Sequence, residues 1–165
     1  MILRLSKIAL LASVALFYTL VVFNNLTDYE ANDQFVRHVL QMDTVFPGSP
    51  HLGRAIRSPL GETLAYYAII IWEAAAMVLT WCGVIRLTVA LREPADTFNL
   101  SKRIPIFALT FGLMLWFVGF LTLGGEWFLM WQSKLWNGQE EAFRMFASIG
   151  IVLVVLALPE AEAQP

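Results

Sequence analysis

Two glutamates in this chain lie in or beside stretches that are otherwise apolar enough to cross a bilayer. Glu73 lies within the run 64–90, and Glu126 follows the run 105–123. An ionisable side chain at membrane depth is costly unless it is paired, hydrated or neutralised, so each glutamate requires an explanation. Each could serve as a proton or cation site, or as part of the polar lining around a lipid head group. The commoner role of such residues is a hydrogen bond across helices that fixes their packing.

Helical spacing predicts which face of its helix each glutamate occupies. The residues on the two faces are Tyr66, Ile69, Met77 and Thr80 with Glu73, and Gly112, Leu115, Gly119 and Thr122 with Glu126. Small residues allow close helix contact, so we expect both carboxylates to point into a bundle. Arg144 matches the depth of Glu126, and we expect these two residues to form a structural ion pair. Glu73 lies nearer the midplane, where it must be neutral, hydrated through a cavity, or paired.

Four possible metal ligands lie between residues 38 and 51, in the connection that follows the first apolar run. They are His38, Met42, Asp43 and His51. His38 and Met42 share a helical face at i, i+4, and copper and zinc accept imidazole or thioether ligands. Two residues at this spacing are a weak signal, and the two histidines share no helix, so metal or haem binding is a minor alternative. We predict bound lipid and no other cofactor.

The elements that position these residues follow from the apolar runs. The chain is 58% hydrophobic and 15% charged, against about 45–50% and 25% in soluble domains, which indicates a membrane protein. Four runs are long enough to span a bilayer, at about 5–24, 62–90, 103–124 and 140–158. Ser58 and Pro59 are a typical helix start before the second run. We expect an all-α fold, a bundle of four transmembrane helices in up-down-up-down order, forming one membrane domain, 1–165.

The connection 25–61 is predicted to form a structured cap outside the membrane. Its segment 32–42 has the apolar stripe of a short amphipathic helix, formed by Phe35, Val36, Val39 and Leu40. Lys and Arg at the N-terminus and in the short segment 86–103 favour an N-in/C-in orientation. The tryptophans that would lie at the external interface are Trp127, Trp131 and Trp136. We therefore expect a multi-pass protein of a bacterial inner membrane.

Charge and cysteine content exclude several other classes. The net charge of −2 gives no basic stripe for nucleic acid, so polynucleotides are not expected partners. The single cysteine, Cys82, excludes an intrachain disulfide and a CxxC pair. The sequence contains no GxSxG, HExxH or phosphate-binding loop motif, which favours a non-catalytic protein without settling the question.

Several longer strings resemble a bacterial family of predicted small integral membrane proteins, a family of unknown function with four transmembrane helices. The resemblance covers nearly the whole chain and rests on Asn24, Asn25, Asp28 and Tyr29, on the stretch 38–44, on Glu73, and on the strings 124–128, 130–133 and 136–138. The last strings contain Trp127, Trp131, Gln132, Trp136 and Asn137. The family implies location and architecture and no activity. Most of these strings lie on the predicted external surface, which is therefore the expected place for a partner.

Three functions are compatible with these residues. The first is an accessory or interaction subunit of a membrane assembly, whose partners are lipids and other integral membrane subunits. The second is a homo-oligomeric channel, or a proton- or cation-coupled carrier, that uses Glu73. The third is a metal- or haem-binding enzyme subunit. We expect the first.

Overall fold

The computed structural model describes residues 1–160, so residues 161–165 of the predicted domain lie outside it. The described residues form helices joined by turns and irregular segments, and none of them lies in a strand. Its α-helices are α1 (Ile2–Thr27), α2 (Tyr29–Gln41), α3 (Pro59–Val89), α4 (Ala95–Ser101), α5 (Arg103–Met114) and α6 (Gln139–Ala157). A π-helical segment, Leu115–Trp127, continues α5, and short 3₁₀ turns cover Leu52–Arg54, Ala90–Arg92 and Met130–Gln132. The all-α prediction is confirmed.

Three helical stretches are long and apolar enough to cross a membrane. They are Ile2–Thr27, Pro59–Arg92 and Ala95–Trp127. Helix α6 is 19 residues long but carries Glu140, Glu141 and Arg144 in its first turns, and it is not among the three. The fourth span and the up-down-up-down order therefore stay predictions.

The ends of α3 follow from local chemistry. The Ser58 hydroxyl accepts a hydrogen bond from the backbone N–H of Gly61 at 3.4 Å, and Pro59 occupies the first turn, where its missing N–H leaves no helical hydrogen bond unmade. The helix tightens into the 3₁₀ turn Ala90–Arg92 and stops before Pro94, which restricts the residue that precedes it. The predicted second span, 62–90, matches this helix closely.

The core of the bundle lies where α1, α3, α5, the π-helical segment and α6 meet. The side chains buried there include Leu11, Tyr18, Leu87, Phe98, Leu109, Trp116, Ile149 and Leu156. Tyr18 accepts a hydrogen bond from the indole N–H of Trp116 at 3.2 Å, which satisfies a polar group in the middle of the core. A second, smaller core forms under α2 from Val36, Leu40, Met42, Tyr66, Ile70, Phe128 and Leu129.

An ion cluster closes one end of the bundle. The ammonium groups of Lys7 and Lys102 both donate to the backbone carbonyl of Leu158, at 2.5 and 2.7 Å. The same groups lie 2.6 and 3.5 Å from Oε1 of Glu160. Both lysines are almost fully buried, so the carboxylate and the carbonyl replace the water they have lost. We call Lys7, Lys102 and Glu160 the lysine cluster; it ties the end of α6 to the starts of α1 and α5.

Candidate functional site

A buried series of hydrogen bonds runs from Glu73, at mid-length of α3, toward the end of the bundle opposite the lysine cluster. Glu73 is 2% exposed and points between the helices from the middle of α3. The side-chain amide of Asn25, in the last turn of α1, donates to Oε2 of Glu73 at 2.5 Å. The hydroxyl of Tyr66, two turns before Glu73, donates to the side-chain oxygen of Asn25 at 3.2 Å. These hydrogen bonds orient Oε2 of Glu73, whereas Oε1 receives no hydrogen bond from residues 1–160.

A polar cavity of about 490 Å³ is lined by Asn25, Tyr66 and Glu73, the three residues that these hydrogen bonds join. Its polar lining comes from four asparagines, Tyr66 and two glutamates, and its aromatic lining includes Trp116 and Phe120. The polar residues are Asn24, Asn25, Asn32, Tyr66, Glu73, Asn137 and Glu141. No Lys or Arg is among the described residues that line it. A cavity with carboxylates, amides and aromatic faces suits hydrogen-bond donors and cations and disfavours anions.

The break between α1 and α2 forms one wall of this polar cavity. At Asp28 the backbone leaves the helical conformation, and the N–H of Asp28 still donates to the carbonyl of Asn24 at 2.8 Å. The chain then turns back as α2, which places Asn32 and Phe35 against the cavity. Phe35 also packs on Gly138 at the start of α6, where a Cβ would lie 2.8 Å from the ring. Glycine at 138 thus lets α2 and α6 approach each other.

An apolar groove of about 340 Å³ adjoins the polar cavity. It lies between α2, α3 and the π-helical segment, and its lining has no ionisable side chain among the described residues. Small residues leave the space open; they are Ala65, Ala68, Gly119 and Gly124. Phe35, Val36, Ile69 and Phe120 line both the groove and the polar cavity, so the two spaces share a wall.

The prediction that Glu126 points inward is wrong. Glu126 is exposed, as is Thr122 before it, whereas Gly112 and Leu115 on the same predicted face are buried. The cause is the π-helical segment: its i→i+5 hydrogen bonds, such as that from Phe128 N to Leu123 O at 2.9 Å, place more residues in each turn. A face extrapolated at α-helical spacing therefore rotates away from the core before it reaches Glu126.

The predicted Arg144–Glu126 ion pair is also wrong. The Arg144 guanidinium donates to Oε1 of Glu141 at 3.0 Å, three residues earlier on α6, and both side chains are more than half exposed. The residue at i−3 on the same helix is a nearer partner than one on a rotated π-helical turn. Arg144 therefore compensates the charge of Glu141 at the edge of the polar cavity and leaves Glu73 uncompensated.

The remaining predicted surface residues near α2 form local contacts. Nδ1 of His38 lies 2.7 Å from Oδ2 of Asp43, and the imidazole stacks on Trp136 at 4.4 Å between ring centroids. Met42 is buried and adopts a left-handed conformation at the end of α2, with φ of 52°. His51 is exposed in the turn before Leu52–Arg54. Within residues 1–160 no three His, Cys, Asp or Glu side chains group closely enough to hold a metal ion.

The tryptophan-containing strings pack against the cap 25–61. The Arg54 guanidinium lies over the ring of Trp127, 4.5 Å from its centroid, and Trp131 meets Phe46 edge to face at 5.9 Å. The side-chain oxygen of Gln132 accepts a hydrogen bond from Phe46 N at 2.9 Å. Asn137 accepts one from Gln139 N at 3.2 Å, just before α6. The contacts of Arg54 and Phe46 hold these strings against the cap, and of the residues in this paragraph Asn137 lines the polar cavity.

The sequence did not reveal several residues of the polar cavity and of the lysine cluster. Asn32 and Trp116 line the polar cavity, yet neither stands out in a loop or an apolar run. Lys7 and Lys102 were counted for topology alone, although their burial depends on Glu160 from the far end of the chain. A signal was available for Lys7, since a lysine inside an apolar helix requires a partner, whereas Lys102 lies between α4 and α5 and gave no such signal.

The fold and the hydropathy of its helices define an integral membrane protein. The chain belongs to the family described as "Predicted small integral membrane protein (DUF2165)", whose model matches residues 3–159. This match confirms the family resemblance noted in the sequence. No curated protein and no solved structure matches the chain.

Proposed function

We propose that this membrane protein is a non-catalytic binding protein whose polar cavity holds a cationic or hydrogen-bond-donating group at Glu73. The observation that supports this proposal is a carboxylate 2% exposed in a cavity whose described lining has no Lys or Arg. Asn25 satisfies one oxygen and leaves the other for a ligand. A buried carboxylate without a cation is unfavourable by several kcal/mol, so a cationic ligand gains that compensation on binding.

The same proposal includes a fourth crossing by α6. Its 19 residues extend about 28 Å, close to the thickness of the hydrocarbon core. Contacts at its two ends support this: Gln139 packs against Gly125 at the end of the π-helical segment, and Leu158 accepts from Lys7 at the start of α1. Charged residues of α6 cluster in its first turns, where interfacial water is near. The bundle would then be up-down-up-down within a single membrane domain.

Orientation belongs to the proposal as well. Lys and Arg at the N-terminus and in the segment 86–103 favour the N-in/C-in arrangement in a bacterial inner membrane. The polar cavity, α2 and the tryptophans would then lie toward the external face. A ligand would reach Glu73 from that side or from the outer leaflet.

Titration with a short alkylammonium ion tests the binding proposal. Butyltrimethylammonium is added to the purified protein in a nonionic detergent, and the heat of binding is measured against protein-free micelles. We expect saturable binding to the wild type and to Glu126→Gln, which changes an exposed glutamate outside the cavity, and loss of at least tenfold in affinity in Glu73→Gln. Equal binding by all three proteins, or by none, would contradict the proposal.

An accessory role in a larger assembly is the second candidate. It is favoured by large apolar side chains exposed in the loops at the cavity end, where Leu135 is 80%, Phe46 54% and Trp131 46% exposed. The partner would be another integral membrane subunit or a second copy of the chain. Native purification tests it: we expect a stoichiometric partner that Leu135→Ser releases, and recovery of a monomer alone under mild extraction would count against it.

A channel or carrier that uses Glu73 is the alternative within the binding proposal. A single bundle of this size encloses too little space for a continuous pore. Transport would therefore need a ring of several copies or a protomer that changes conformation. Reconstituted liposomes separate the two: flux of an ammonium ion that Glu73→Gln abolishes indicates a carrier, and binding without flux indicates a binding protein.

A further inference from the structure

We infer that the ligand of the polar cavity is a single-chain amphiphile: its ammonium head binds at Glu73 and its alkyl chain fills the apolar groove. The inference rests on the proposed function and adds the chemical class of the ligand. It is carried by the juxtaposition of the two spaces. Phe35, Val36, Ile69 and Phe120 line both spaces, so a head group in the polar cavity would lie beside an alkyl chain in the groove.

The groove suits a flexible alkyl chain. Its volume of about 340 Å³ lies in the range of small-molecule pockets, roughly 300–1,000 Å³. Its lining is aliphatic and aromatic, with Ala68 and Gly119 leaving room that larger side chains would fill. An alkyl chain gains by leaving water and requires no directed polar contact, so an apolar lining is sufficient to hold it.

The head group is selected by charge. Arg144 pairs with Glu141 at 3.0 Å, so Glu73 is the lining acid without a cation partner among the described residues. Phosphate, sulfate and carboxylate heads would meet this carboxylate with no Lys or Arg beside it. An ammonium head would instead pair with Glu73 and face the rings of Trp116 and Phe120. The lining of the head-group space therefore favours an ammonium head over an anionic one.

The experiment compares alkyltrimethylammonium ions with butyl, octyl and dodecyl chains, using calorimetry at a fixed nonionic detergent concentration. Partition into protein-free micelles is subtracted for each chain length. We expect affinity to rise by up to about fourfold for each methylene that enters the groove, until the groove is full. Dodecyl sulfate, with the same chain and an anionic head, is expected to bind at least tenfold more weakly than dodecyltrimethylammonium.

Two matched variants assign the chain to the groove. Ala68→Leu fills part of the groove, and Ala9→Leu makes the same change on an exposed face of α1 outside both spaces. We expect Ala68→Leu to flatten the dependence on chain length and to leave butyltrimethylammonium binding unchanged, while Ala9→Leu behaves as the wild type. If affinity rises equally with alkyl-chain length in both variants, the inference is overturned.

The outcomes separate the inference from the proposed function. If butyltrimethylammonium binds through Glu73 but longer alkyl chains add no affinity beyond their partition into micelles, the ligand is not an amphiphile and the binding proposal stands. If no ammonium ion binds, both fail. Dodecyl sulfate binding as tightly as the ammonium, or a two-chain phospholipid retained in native mass spectrometry when the ammonium is in excess, would overturn the head-group and single-chain assignments.

Discussion

The two ends of the bundle solve the same physical problem in different ways. In the lysine cluster two buried ammonium groups share one carboxylate and one carbonyl, so the protein itself supplies the compensation. At the other end Glu73 has one amide donor and no cation within the described lining of its cavity. A charge that the fold compensates serves stability, and a charge left uncompensated beside a cavity is available to a ligand. The contrast is between a carboxylate paired with two buried ammonium groups and one that has no cation in the described lining of its cavity.

The largest expected effect comes from removing the carboxylate of the lysine cluster. Glu160→Gln leaves two buried ammonium groups without an anion, and we expect a loss of about 3 kcal/mol in the free energy of unfolding. Unfolding by SDS titration in mixed micelles measures it. Glu93→Gln is the matched control, since the Glu93 side chain is exposed and only its backbone carbonyl accepts from Arg4. Equal stability of the two variants would show that the cluster is not structural.

A substitution between the two ends is expected to have the next largest effect. At Gly112 an added Cβ would lie 2.9 Å from Cζ of Tyr18, a fully buried ring that bonds Trp116. We expect Gly112→Ala to lower the free energy of unfolding by about 2 kcal/mol through overpacking. Gly150→Ala is the control on α6, where the new Cβ meets Leu113 at an ordinary 3.6 Å and helix propensity favours alanine. Similar losses in both variants would argue against the tight Tyr18 contact.

The stability that the lysine cluster provides should depend on pH through Glu160. Burial by itself would raise the pKa of Glu160, but the hydrogen bonds and charges of Lys7 and Lys102 outweigh it and lower the pKa below its usual 4.5. The stabilisation is therefore complete above pH 4.5 and is lost as the pH falls through the lowered pKa. Unfolding measured from pH 7 to pH 3 should show this loss in the wild type, and Glu160→Gln should show a smaller slope. An unchanged slope would contradict the assignment.

The smallest effect on stability is expected at Glu73. Glutamine keeps the shape of the side chain and can still accept from Asn25, so Glu73→Gln should change the free energy of unfolding by less than about 1 kcal/mol or increase it. The measurement is the same SDS titration used for Glu160→Gln. A loss comparable to that of Glu160→Gln would show that Glu73 stabilises the fold and would remove the contrast between the ends.

The sequence predicted the helices well because each depends on local pattern. The predicted spans 62–90 and 140–158 correspond to Pro59–Val89 and Gln139–Ala157, since apolar runs and the Ser58-Pro59 start act within a few residues. The apolar stripe predicted for the segment 32–42 lies in α2, which ends one residue earlier at Gln41; a short helix in an external loop stays a prediction.

The polar contacts were harder to predict because they join distant positions. Asn25 and Glu73 are 48 residues apart, and Lys7 and Glu160 are 153 apart, so only the assembled bundle brings them together. The error at Glu126 has a different source. A single α-helical period was assumed through Leu115–Trp127, and the π-helical winding of that segment rotates every later side chain.

The decisive comparison is the binding of butyltrimethylammonium to Glu73→Gln and to Glu160→Gln, which carry the same substitution in the two charged regions. We expect Glu73→Gln to lose at least tenfold in affinity while it remains folded, and Glu160→Gln, though less stable, to bind as the wild type does. Retained binding in Glu73→Gln, or an equal loss in both variants, would contradict this expectation.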